Sequence, residues 1–135
     1  MKLIAHTDGG ARGNPGPAAL GVYITDTDGR PVKEHGRYLG HATNNHAEYA
    51  AVIDALEHAK ELGADELDVY LDSELVVRQL AGQYRVKDPG LAQQYMRVHN
   101  LRLGFRKVTF THVRRENNKD ADRLVNQALD RHAAE

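Results

Sequence analysis

Among its 135 residues the sequence has no cysteine and no tryptophan. Without thiols there is no disulfide, no thiolate nucleophile and no Cys-based zinc site, so any chemistry must come from oxygen and nitrogen groups. Long apolar runs are also missing, which excludes a membrane-spanning helix on the sequence pattern. The opening Met1-Lys2-Leu3-Ile4-Ala5 passes straight into a strand-like alternation rather than a signal peptide, so a cytoplasmic protein with no membrane partner is the expectation. Excess positive charge is absent as well. The chain has 18 Lys and Arg against 19 Asp and Glu, a formal net charge of -1, whereas gripping nucleic acid by charge alone needs a basic surface. A phosphate-rich partner would have to be held by local basic groups together with bound divalent cations. What remains suits one domain over residues 1–135 around a single core, expected as a monomer.

Residues 2–8 alternate and end at Thr7-Asp8-Gly9-Gly10, which predicts a strand entering a Gly-rich turn, prolonged by Gly13-Asn14-Pro15-Gly16-Pro17. Strands over 18–25 and 32–40 are joined through Asp28-Gly29, a strong short hairpin signal. Thr43-Asn44-Asn45 supplies capping side chains for a helix from about His46 to Leu62, stopped by Gly63. A short strand over 67–71 ends at Asp72-Ser73. Helices are then expected over 74–81 and from Asp88-Pro89-Gly90 to about Arg102, a strand over 108–113, and an amphipathic helix from Asn118 to about His132. The order βββαβααβα predicts an α/β fold: an antiparallel meander joined to parallel strands in one mixed sheet, with helices on both faces.

Four carboxylates stand out from the solvated background. Asp8 ends a strand that reads as central. Glu48 shares its helical stripe with Ala51, Val52, Ala55, Ala59 and Leu62, so it points inward. Asp122 falls with Val125 and Leu129, whereas Asp120 falls with Arg123 on the wet side. Asp72 follows the carboxyl end of a strand, where open α/β sheets gather ligands. Bringing such groups together is unfavourable, because like charges and desolvation raise carboxyl pKa values, and a divalent cation removes that cost. An all-oxygen donor set suits Mg²⁺ or Mn²⁺. Two such ions about 4 Å apart would suit an in-line phosphodiester displacement.

The sequence resembles the type 1 ribonuclease H family. The resemblance rests on Thr7-Asp8-Gly9-Gly10 with Gly13-Asn14-Pro15-Gly16, Thr43-Asn44-Asn45 followed by Glu48, Asp72-Ser73, and Asn118 with Ala121-Asp122 and Leu124, in family order along nearly the whole chain. It implies an RNase H-like fold and two-metal hydrolysis of the RNA strand in RNA/DNA hybrids. It also implies metal binding and catalysis by Asp8, Glu48, Asp72 and Asp122, and hybrid binding by Asn14, Thr43, Asn44 and Asn45.

Three departures bear on function. Well-studied bacterial members place a catalytic histidine in the loop before the last helix. Here that loop reads Val113-Arg114-Arg115-Glu116-Asn117, with Arg115 as the expected substitute. The nearest histidine, His112, alternates in phase with Val108 and Phe110 and reads as a structural side chain. The Lys- and Trp-rich element that grips the DNA strand in many relatives is replaced by residues 82–90, which offer only Arg85 and Lys87, so weaker substrate binding is expected. Glu74 stands where relatives often carry Gln. Alternatives are a nuclease also acting on double-stranded RNA, which shares the A-form shape, and a hybrid-binding module without catalysis, which would require a missing carboxylate. A zinc hydrolase built on the eight histidines finds no support in a His pair four residues apart.

Overall fold

The computed structural model describes residues 1–135. Along the chain run β1 (Lys2–Ala11), β2 (Gly16–Thr25), β3 (Pro31–Ala42), α1 (Asn44–Glu61), β4 (Glu66–Leu71), α2 (Glu74–Leu80), α3 (Pro89–Arg102), β5 (Lys107–His112), a 3-10 turn (Arg115–Asn117) and α4 (Lys119–Ala133). The strands form one sheet in the order β3-β2-β1-β4-β5. β1 pairs antiparallel with β2 and parallel with β4, so the meander and the parallel half meet on β1. This is the mixed α/β architecture that the element order predicts.

Period-two patterning places Leu3 and Ala5 of β1, Leu20, Val22 and Ile24 of β2, and Leu67, Val69 and Leu71 of β4 in one core beneath α1, α2 and α3. The helix contributes its own stripe: Tyr49, Val52, Leu56 and Ala59 of α1 are fully buried there. On the other face α4 packs Val125, Ala128 and Leu129 against Ala19 and Tyr38. No helix is long and apolar enough to cross a membrane.

Several boundaries differ from the sequence expectation. Gly9 and Gly10 do not turn: β1 continues through them to Ala11, pairing with Leu20, Ala19 and Ala18 of β2. The Asp28-Gly29 reversal is a five-residue loop in which the Asp26 carboxylate accepts from Asp28 N and Arg30 N, both at 2.9 Å, and Gly29 takes a positive φ of 85°. α1 begins two residues early because Thr43 alone caps it, its hydroxyl accepting from His46 N at 3.2 Å. Leu62 follows the last turn and is exposed rather than part of the stripe. Helix α4 begins at Lys119, with Asn118 at the cap position but its side chain directed elsewhere.

Candidate active site

Asp8 sits on the central strand opposite Gly21 of β2. Two helices come close to the sheet around it, and glycine makes both approaches possible. A Cβ on Gly9 would lie 2.1 Å from the Ala47 carbonyl carbon of α1, and one on Gly21 would lie 2.2 Å from the Ala121 carbonyl oxygen of α4. Gly9 is thus needed for close helix packing rather than for a turn. Glu48 immediately follows Ala47 and Asp122 immediately follows Ala121, so these two contacts bring both carboxylates to Asp8.

The fourth group arrives through strand register. Leu71, the last residue of β4, pairs with Thr7 of β1, and Asp72 is one step further on, beside Asp8. Carboxylate oxygens of Asp8, Glu48 and Asp72 lie within 4.8 Å of one another. Asp122 reaches Asp8 from the solvent side, with its own side chain 34% exposed. All four sequence-predicted carboxylates therefore line one cleft of about 490 Å³.

The electrostatics are unfavourable for anions left alone. Burial, reinforced by the charges of Asp72 and Asp122, pushes the Asp8 carboxyl up to about 8. Burial first, then the charges of Asp8 and Asp72, holds Glu48 well above the usual carboxylate range. Asp72 is also raised by burial, partly offset by its backbone hydrogen bond and by the Arg115 guanidinium. Glu48 Oε2 is buried with no hydrogen-bond partner. An orphaned, desolvated carboxylate oxygen facing two other carboxylates is the donor set a hard divalent cation takes.

Only two cationic side chains face this cleft, Arg12 and Arg115. Arg115 lies in the 3-10 turn before α4, is largely exposed, and places a guanidinium nitrogen 3.7 Å from Asp122 Oδ1. Arg12 is held at the rim by Asp130 at 2.6 Å and Asn126 at 3.4 Å. The sequence reading missed Arg12 and Asn126. Asn126 was accessible, since it is four residues beyond Asp122 on the same helical face.

The expected hybrid-binding residues divide. Asn44 Oδ1 accepts from Ala11 N at 2.8 Å and Asn14 Oδ1 accepts from Asn44 N at 3.0 Å, so both fasten the β1–β2 loop to the start of α1. Thr43 is the helix cap. Asn44 and Asn45 both line the cleft. His112 is not packed as expected: Val108 and Phe110 lean on the core, but the core ends before the last residue of β5, leaving His112 exposed. Glu74 pairs with Arg78 along α2 at 2.8 Å. Residues 81–88 form no helix that could carry a basic grip.

Residues 6–128 match the family described as reverse transcriptase-like. Ribonuclease HI of Halobacterium salinarum is 47% identical over 96% of this chain, and the chain spans 65% of that protein's length. The crystal structure of RNase H1 from the same archaeon superposes with a TM-score of 0.95 at 45% identity, covering 97% of this chain and 99% of that one. LC11-RNase H1, isolated from compost and solved in complex with an RNA/DNA hybrid, gives a TM-score of 0.93 at 44% identity, covering 97% of this chain and 99% of that one. With the fold, the carboxylate cluster and these matches in agreement, the chain belongs to the reverse transcriptase-like family, as a domain of the ribonuclease H1 type.

Proposed function

We propose that this chain is an endoribonuclease that hydrolyses the RNA strand of RNA/DNA hybrids using two divalent metal ions, Mg²⁺ or Mn²⁺. The observation that carries this reading is the charge balance of the cleft: four carboxylates face two guanidinium groups. A polyphosphate strand would be repelled from such a cleft unless cations entered with it. When bound there, divalent ions supply Lewis-acid activation of water and stabilise charge on the reacting phosphate.

The chain's own residues do the rest. Asp8 of β1, Glu48 of α1 and Asp72 just beyond β4 would hold the cations, with Asp122 of α4 completing the set. The raised proton affinity of Asp8, Glu48 and Asp72 means that cation binding would displace protons. Arg115, whose guanidinium lies 3.7 Å from Asp122, donates toward the non-bridging oxygens of the phosphate at the cut site. Asn45 presents its amide to the sugar edge, where a ribose 2′-hydroxyl can both donate and accept. That LC11-RNase H1 was solved with a hybrid supports the substrate class.

The test is a gel assay on labelled hybrid, duplex RNA and duplex DNA, each with Mg²⁺, Mn²⁺ or chelator. Cleavage of the hybrid's RNA strand alone, abolished by chelator, is expected. Cutting in chelator would contradict the metal reading, and faster cutting of duplex RNA would move the substrate class.

A further inference from the structure

Six residues along α1 from Glu48, three side chains that no part of the nuclease chemistry uses converge on one point. Asp54 of α1 is buried, with 8% of its side chain exposed. Its Oδ2 lies 2.8 Å from Nδ1 of His35 on β3 and 3.1 Å from Nδ1 of His58, one helical turn along α1. The two imidazoles meet edge to face with centroids 4.7 Å apart, so they reach the same oxygen from different directions. All three candidate donor atoms lie within 4.8 Å of one another.

We propose that His35, Asp54 and His58 form a binding site for a borderline divalent transition ion, with Zn²⁺ as the natural occupant, that clamps the edge strand β3 to helix α1. Two imidazole nitrogens and one carboxylate oxygen select against Mg²⁺ and suit Zn²⁺. With bonds of about 2.0–2.2 Å, a tetrahedral ion spaces its donors about 3.3–3.6 Å apart. The two Asp54–histidine separations, 2.8 and 3.1 Å, therefore need to open by only several tenths of an ångström, and His58 Nδ1 would exchange its 3.0 Å contact with the Asp54 carbonyl for the ion. The histidine side chains are 30% and 20% exposed, which leaves a solvent side for ion entry and for water as fourth ligand. Asp54 lies six residues beyond Glu48, about 9 Å along the helix axis. The ion would thus be a structural clamp on the element that carries Glu48, outside the carboxylate cleft. No histidine pair four apart exists in the sequence; the pairing is Asp-His along one helix, completed across to a strand, and only the packing of β3 on α1 reveals it.

Chelator-stripped protein is titrated with Zn²⁺ by calorimetry in excess Mg²⁺, which occupies the carboxylate cleft, and with Co²⁺ as a spectroscopic probe. Expected are one Zn²⁺ per chain, a tetrahedral-type visible Co²⁺ band and a raised thermal midpoint. His35→Gln and His58→Gln should each weaken binding by more than about tenfold, while His41→Gln, on an exposed position of β3, leaves it unchanged. Imidazole ¹⁵N spectra of the wild-type protein provide a check independent of any variant: the Nδ1 signals of His35 and His58 should shift to metal-bound values. No binding in excess Mg²⁺, undiminished affinity in both histidine variants, or Nδ1 protons retained at Zn²⁺ saturation would overturn the site.

Discussion

The buried side-chain amide of Asn118 donates to the Thr7 carbonyl at 2.8 Å, tying the start of α4 to the residue before Asp8. This bond fixes how far along the sheet α4 begins, and hence where Asp122, four residues later, meets Asp8. Asn118→Ala should cost about 1–3 kcal/mol, the usual penalty for a lost buried hydrogen bond, and should lower turnover more than substrate affinity. Denaturant midpoints and single-turnover rates check both. Unchanged turnover in a destabilised variant would separate the bond from the placement of Asp122.

The raised carboxyl of Asp8 makes metal-free stability fall with pH. Between the ordinary value of 3.8 and about 8 the folded chain keeps a proton that the unfolded chain releases, so unfolding becomes easier as pH rises through that window. Asp8→Asn removes the titration. Its stabilising effect in chelator should be small near pH 4 and grow to roughly 1–3 kcal/mol by pH 8. Excess Mg²⁺ should narrow or reverse the difference, since the cation stabilises the wild-type cluster. Thermal midpoints over this range, with and without Mg²⁺, make the measurement; a pH-independent difference would contradict the assigned carboxyl shift.

Asn44 and Asn45, adjacent in sequence, are expected to fail differently. Asn44→Ala breaks the bond to Ala11 N and should destabilise the protein by about 1 kcal/mol. Asn45→Ala should leave the thermal midpoint nearly unchanged yet slow cleavage of hybrid, because that side chain lines the cleft. Measuring the midpoint and the rate for each variant distinguishes the two roles, and a reversed pattern would exchange them.

For the two arginines before α4, position predicts the outcome. Arg115 reaches the Asp122 carboxylate and faces the cleft, and Arg114 is not among the residues lining it. Arg115→Ala should reduce turnover by about tenfold or more, against little change for Arg114→Ala. Arg115→Lys should rescue only in part, because an ammonium lacks the fork geometry of a guanidinium. Equal small losses would leave both as surface charges.

Where chemistry and periodicity agree, the site was legible in the sequence. Glu48 and Asp122 declare themselves by sharing a helical face with apolar neighbours, and Asp72 by its place after a strand. The role of Gly9 was not legible, since a Gly-Gly pair signals a turn locally, and only the approach of Ala47 explains it. Nor does local sequence show that Asn14 and Asn44 bond across the loop, thirty residues apart. The exposure of His112 follows from where the core stops, which a strand's alternation does not encode.

The most direct test of the metal-dependent nuclease reading is single-turnover cleavage of a hybrid carrying distinguishable labels on its two strands. Wild-type protein is compared in Mg²⁺ with Asp8→Asn, Glu48→Gln, Asp72→Asn and Asp122→Asn, each confirmed as folded by circular dichroism. The RNA strand alone should be cut, and each substitution at Asp8, Glu48 or Asp72 should slow cutting by more than about a hundredfold. Near-wild-type cleavage by folded Asp72→Asn, or equal cutting of the DNA strand, would contradict the account.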